Sequence, residues 1–158
     1  TGNLLARECN IEESKMAVLG GEFAMIVLIS GEQAAIDAII TAAAGGEVSK
    51  HLEVDARRTV QHAPLANARP YRIECVSLDT PGIVHAVTSL LRERNINIDE
   101  LETETGGAPF TGAPMFILKT RISIPARVSV NHLRERIEAL AEERDLDITM
   151  QPISVEIG

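Results

Sequence analysis

The 158-residue chain is 45% hydrophobic and carries a formal net charge of −8. That is apolar enough to bury a core and of the wrong sign to hold a phosphate backbone unaided. No apolar run reaches the roughly 18 to 20 residues a membrane helix needs, and with no Trp, one Tyr and three Phe the core must be aliphatic. Cys9 and Cys75 lack C-x-x-C spacing and are too few for a disulfide framework, so a reducing cytoplasm is expected. No charged-then-apolar leader is visible.

In chain order, Asn10 to Leu19 reads as an edge strand. Phe23 to Ile29 is apolar at every position, a strand expected to be covered on both faces. Ala34 to Ala44 predicts a helix that loosens at Gly45-Gly46, and Leu52 to Ala56 a short final strand. Gln61 to Arg69, polar and containing Pro64, is a linker.

The second half is easier to read. Tyr71 to Ser77 alternates as a strand does. Thr80 is placed to cap the next helix and Pro81 to open it. Its apolar stripe is Ile83, Val84, Val87, Leu90 and Leu91, and it ends at Arg92-Glu93-Arg94. Ile98 to Thr105 is an edge strand with polar residues on one side, Gly106 to Pro114 an irregular connection, and Met115 to Ile124 a long strand. A second amphipathic helix carries Val130, Leu133, Ile137, Leu140 and Ala141, and Asp147 to Ile153 closes the order β-α-β-β-α-β.

The first half repeats this order. Asn10-Ile11-Glu12-Glu13 matches Asn97-Ile98-Asp99-Glu100 at an offset of 87 (97 − 10). Phe23-Ala24-Met25 matches Pro114-Met115-Phe116 at 91 (114 − 23), which implies four extra loop residues in the second copy. Thr1 then matches Thr88, the counterparts of residues 71 to 87 are missing, and about 20 further residues are expected upstream to complete the first sheet. The fold class is therefore α+β: two ferredoxin-like βαββαβ units in tandem, antiparallel sheets with helices on one face. Residues 1–60 form the first, 61–69 the linker and 70–158 the second. The two copies are expected to contact one another, and the edge strands to pair between chains into a dimer.

The topology hosts many functions, so the site must decide. An RNA-binding version stacks bases on sheet aromatics beside basic residues, whereas Met115 to Ile124 offers only Phe116. A metal carrier needs paired cysteines in the loop after the first strand, and an acylphosphatase-like enzyme an arginine there. This chain has Leu78-Asp79-Thr80-Pro81-Gly82. His51, His62, His85 and His132 share no metal-ligand spacing, and no catalytic grouping can be assembled. Neither an enzyme nor a bound cofactor is expected.

Leu78-Asp79-Thr80-Pro81-Gly82-Ile83-Val84, followed by a helix and Asn95-Ile96-Asn97-Ile98, resembles the signature of ACT domains, small modules that sense amino acids. Gly20-Gly21-Glu22-Phe23-Ala24-Met25 and Ala113-Pro114-Met115-Phe116 resemble tandem-ACT proteins related to the glycine cleavage system transcriptional repressor. The resemblance covers essentially the whole chain. It implies a ligand between the loop before the first helix and the second strand of a neighbouring domain. It further implies a transcriptional activator as partner, with glycine altering the repressor's hold on it.

Chemically, the amides of Gly82, Ile83 and Val84 and the positive helix end suit a carboxylate. Gly82 permits close approach, and Asp79 can pair with an ammonium. Asn97 and Ile98, or Asn10 and Ile11, would face them. The ordinary roles of the same residues are a cap for Asp79 and Thr80, a tight turn for Asn95 and Asn97, and a surface helix position for His85. Gly106 to Pro114 is either a lid or a plain hairpin loop. The reading is an amino-acid-sensing regulator acting through a protein partner, not directly on nucleic acid or a membrane. Its rivals are a regulatory module attached to a metabolic enzyme and a ligand-free assembly module.

Overall fold

The structure, a computed structural model, describes residues 9–45, 52–60, 66–78, 81–108 and 111–154. The chain divides into two compact units, Thr1–Gln61 and His62–Gly158.

In the second unit, β3 (Arg69–Leu78), α2 (Ile83–Arg92), β4 (Asn97–Gly107), β5 (Pro114–Ile124), α3 (Val130–Arg144) and β6 (Asp147–Pro152) follow the expected βαββαβ order. The strands form one antiparallel sheet ordered β4-β5-β3-β6. Alternation sends Ile73 and Cys75 of β3 and Leu118, Thr120, Ile122 and Ile124 of β5 to the helix-covered face, all buried. Ile83, Val87, Leu90 and Leu91 of α2 and Leu133 and Ile137 of α3 complete an aliphatic core. Ser129 caps α3, accepting from the His132 N–H at 3.3 Å. The buried Thr120 hydroxyl is satisfied by donating to the Glu100 carbonyl, 2.7 Å away.

In the first unit, β1 (Asn10–Leu19) and β2 (Glu22–Ser30) form an antiparallel hairpin, followed by α1 (Gln33–Ala44). The internal repeat reaches the ladder itself. β1 carries one extra residue between Ile11 and Glu13, and β4 carries one between Ile98 and Glu100. The two bulge residues, Glu12 and Asp99, stand 87 apart. Ser30 hydrogen-bonds the Glu12 carboxylate, and Ser123 donates to Asp99 Oδ2 at 2.7 Å. Ladder partners also correct the alignment of the following strands. Ile29 pairs with Ile11 and Ile122 with Ile98, an offset of 93 (122 − 29), so Phe23 corresponds to Phe116 and the second copy has six extra residues, not four.

Two other expectations fail. Residues 52–60 contain no strand. In the second unit the last strand, β6, pairs only with β3, and β3 has no counterpart among the described residues of the first unit; a strand at Leu52 to Ala56 lacks a ladder partner. Phe23, Met25 and Ile26 of β2 are exposed within this chain, while Val27, Leu28 and Ile29 are half-buried. Finally, α2 begins at Ile83, not Pro81, with Gly82 in the cap position. Pro81 belongs to the preceding turn. Gly82 takes φ +91°, a left-handed conformation that glycine alone adopts without strain. Among the described residues, no helix is long and apolar enough to cross a membrane.

Candidate functional site

Gly82 fixes the geometry of the candidate site. Its left-handed backbone turns the chain into α2, and among the described residues no side chain caps the helix. The first intrahelical bond is Ala86 N–H to Gly82 O, at 2.9 Å, so the amides of Ile83, Val84 and His85 have no acceptor within the helix. Together with the helix dipole they present a positive opening. Asp79 and Thr80 lie outside the described residues. Of the remaining predicted residues here, Pro81 and Gly82 are exposed, whereas the Ile83 side chain is buried and can offer a ligand only its backbone.

Arg144, in the last turn of α3, is a contributor that sequence reasoning missed. A Cβ placed on Gly82 would lie 3.7 Å from its Nη1. An exposed guanidinium in no ion pair among the described residues thus stands beside the helix opening and adds to its positive potential. No local motif joins residues 82 and 144; only the packing of the two helices on one sheet does so.

Asn97 and Ile98 lie at the other end of α2. A ten-residue helix spans roughly 15 Å at about 1.5 Å per residue, so within one unit they do not meet the Gly82 loop. They line an open groove with His85, Thr88, Ser89, Arg92 and Asn95. His85 Nε2 lies 3.5 Å from Ser89 Oγ, and the Thr88 hydroxyl donates to the Val84 carbonyl at 2.8 Å. Asn97 Nδ2 donates to Asp99 Oδ1 at 2.7 Å, which engages one of its two N–H donors at the bulge and fixes the side chain's direction. Ile98 packs against the core. Asn95 holds φ +52° in the turn after α2, where Asn tolerates the left-handed region. Asn10 and Ile11 take the same ladder positions in the first unit that Asn97 and Ile98 take in the second.

Gly106, Gly107 and Pro114, expected in an irregular connection, are instead ladder residues, Gly106 pairing with Met115 and Gly107 with Pro114 at the ends of β4 and β5; beyond them Ala108 N–H donates to Ala113 O at 2.8 Å and Gly112 N–H to Ala108 O at 3.0 Å. Burial, reinforced by the Asp147 charge, raises the Cys75 thiol above its ordinary 9.0, a packing residue and not an activated nucleophile. Among the described residues, no group of three His, Cys, Asp or Glu side chains is placed to hold a metal ion.

Residues 71–142 match the model of the ACT domain. The chain is 30% identical over 136 residues to the glycine cleavage system transcriptional repressor of Escherichia coli, covering 85% of this chain and 71% of that one, and equally so to the repressor of Shigella flexneri. Among solved structures, an unknown protein from Galdieria sulphuraria matches with a TM-score of 0.75 and 30% identity, over 97% of this chain and 87% of that one. A crystal structure assigned to a glycine cleavage system transcriptional repressor has the same fold, at a TM-score of 0.74 and 22% identity over 97% and 86%.

Proposed function

The chain belongs to the ACT-domain family that includes the glycine cleavage system transcriptional repressor, and on that premise we propose that it is an amino-acid-sensing regulator. It modulates transcription of glycine cleavage genes in the cytoplasm by holding a transcriptional activator, not by binding DNA. The net charge of −8 supports the off-DNA role, because it opposes a polyanion. Glycine is the ligand, and the working species is a homodimer.

The observation that carries this reading is the start of α2, which no side chain among the described residues caps. Amides of Ile83, Val84 and His85 without intrahelical acceptors, beside the Arg144 guanidinium, form a seat for a carboxylate. Asp79 supplies the charge for the ammonium, with Thr80, Pro81 and Gly82 completing the loop. Asn10 and Ile11, or Asn97 and Ile98 of a neighbouring ACT unit, close the site from the far side. A ligand there shifts the hold on the activator only by the difference in its affinity for the two states.

Calorimetry of the chain against glycine, serine and the branched-chain amino acids tests the proposal. Glycine should bind, and Arg144→Ala should weaken it about 10-fold or more, because a hydrogen bond to a charged group contributes roughly 1.5–3 kcal/mol. Absence of heat with every amino acid, or unchanged affinity in both Arg144→Ala and Asp79→Ala, would sink it.

A further inference from the structure

Asp99 is the extra residue of the β4 bulge, and both of its carboxylate oxygens are engaged. Oδ1 accepts from Asn97 Nδ2 at 2.7 Å, and Oδ2 accepts from Ser123 Oγ at 2.7 Å. Ser123 is the ladder partner of Asn97, so the three side chains gather at the start of β4, where Asn97 lines the open groove beside Ile98. Which way round the Asn97 amide lies follows from chemistry, because an ionised carboxylate only accepts. Its Nδ2 must face Asp99, and Oδ1 is left as the free branch, with no hydrogen bond to it among the described residues. The first copy lacks this arrangement. Glu12 holds the equivalent bulge position and its carboxylate bonds Ser30, but among the described residues no hydrogen bond joins it to Asn10. The extra methylene of glutamate carries its head group past the place from which Asp99 meets a side chain two residues back.

We propose that Asp99 is a positioning residue: with Ser123 it holds the Asn97 side chain so that its carbonyl oxygen, and not its N–H2 group, is offered to the ligand's ammonium. The inference deepens, and rests on, the reading of the chain as an amino-acid sensor. An ammonium group has donors and no acceptor, so an amide oxygen fixed in place complements it and an N–H2 group repels it. Holding the side chain beforehand removes part of the ordering cost that binding otherwise carries. The ligand thereby gains a direction, with its ammonium at Asn97 and its carboxylate at a helix opening beside Arg144. Of the two pseudo-equivalent asparagines, the clamp selects Asn97 over Asn10.

The test is the calorimetric affinity of the full chain for glycine, with serine and leucine as alternative probes and each variant's melting temperature taken alongside. Asp99→Ala should weaken binding about three- to tenfold, the cost of ordering one side chain. Asp99→Asn, uncharged but still able to accept from Asn97 and to bond Ser123, should return to within about twofold of the wild type. Glu12→Ala, the same truncation at the other bulge, should leave the affinity unchanged. Asn97→Ala should cost roughly fivefold more than Asn10→Ala. Should Asp99→Ala not fold, Ser123→Ala removes one anchor with the bulge residue intact and should weaken binding about two- to threefold. Unchanged affinity in Asp99→Ala, or in Ser123→Ala where it stands in, overturns the proposal. So does an equal loss in Asp99→Asn, which would mark charge and not placement as the cause, an equal loss in Glu12→Ala, or equal losses from the two asparagines. A wild type that binds while these variants bind equally well removes only the positioning role; a wild type that binds none of the probes removes the sensor reading and this role with it.

Discussion

Gly82 and Arg144 belong together as residues, because one leaves the space that the other overlooks. A methyl group on Gly82 would meet Arg144 at 3.7 Å, an ordinary contact, so room is not the obstacle to substitution. The φ of +91° is. Gly82→Ala should lower stability by about 1–2 kcal/mol through left-handed strain, measured as a shift in the urea midpoint. Cys75 makes the complementary case. Burial first and the Asp147 charge second raise its thiol above the ordinary 9.0, so the fold favours the neutral form. That contribution is complete below the unfolded value and is lost as pH rises through the folded one. Wild-type stability should therefore fall more than that of Cys75→Ala between pH 8 and 10.5, and alkylating reagents should label Cys75 only on unfolding. Sequence could mark Gly82, Pro81 and Asn97 because their chemistry is local. It could not mark Arg144, whose relevance arises 62 residues away from Gly82 (144 − 82). Nor could it see that one N–H of the Asn97 amide is held by Asp99.

Among the elements, legibility followed the partners each one finds. The second unit was readable strand by strand because its alternation is honoured on a sheet packed against two helices. In the first unit, the apolar run Phe23 to Ile29 was recognisable as a strand, but the exposure of Phe23, Met25 and Ile26 was not, since pattern alone does not reveal which covering elements are in place. Leu52 to Ala56 has strand-like residues and no neighbour to pair with, and propensity without a ladder does not make a strand. No residue of β1 is buried. Its amides should accordingly exchange with solvent faster than those of β3 and β5, which carry the core; slower exchange in β1, measured by native-state hydrogen exchange, would contradict this picture.

Taken as a whole molecule, stability is unevenly divided. The aliphatic core cluster, from Ile73 to Met150, lies wholly in the second unit. The buried hydrophobics described for the first unit are Cys9 and Ala43. Residues 62–158 produced alone should unfold in one cooperative transition, while residues 1–61 alone should not; calorimetric melting of the two pieces checks this. The bulges at Glu12 and Asp99 have a consequence for how the two copies tolerate changes of length. The additional residue sets the phase of β4, letting Ile98 and Leu101, three apart, point inward together. With Asp99 threaded into a regular ladder, every later side chain would change sides and Glu100, Glu102 and Glu104 would enter the oil. Excising Asp99 keeps the phase, whereas inserting one residue between Leu101 and Glu102 inverts it, so this strand should survive a deletion more readily than an insertion.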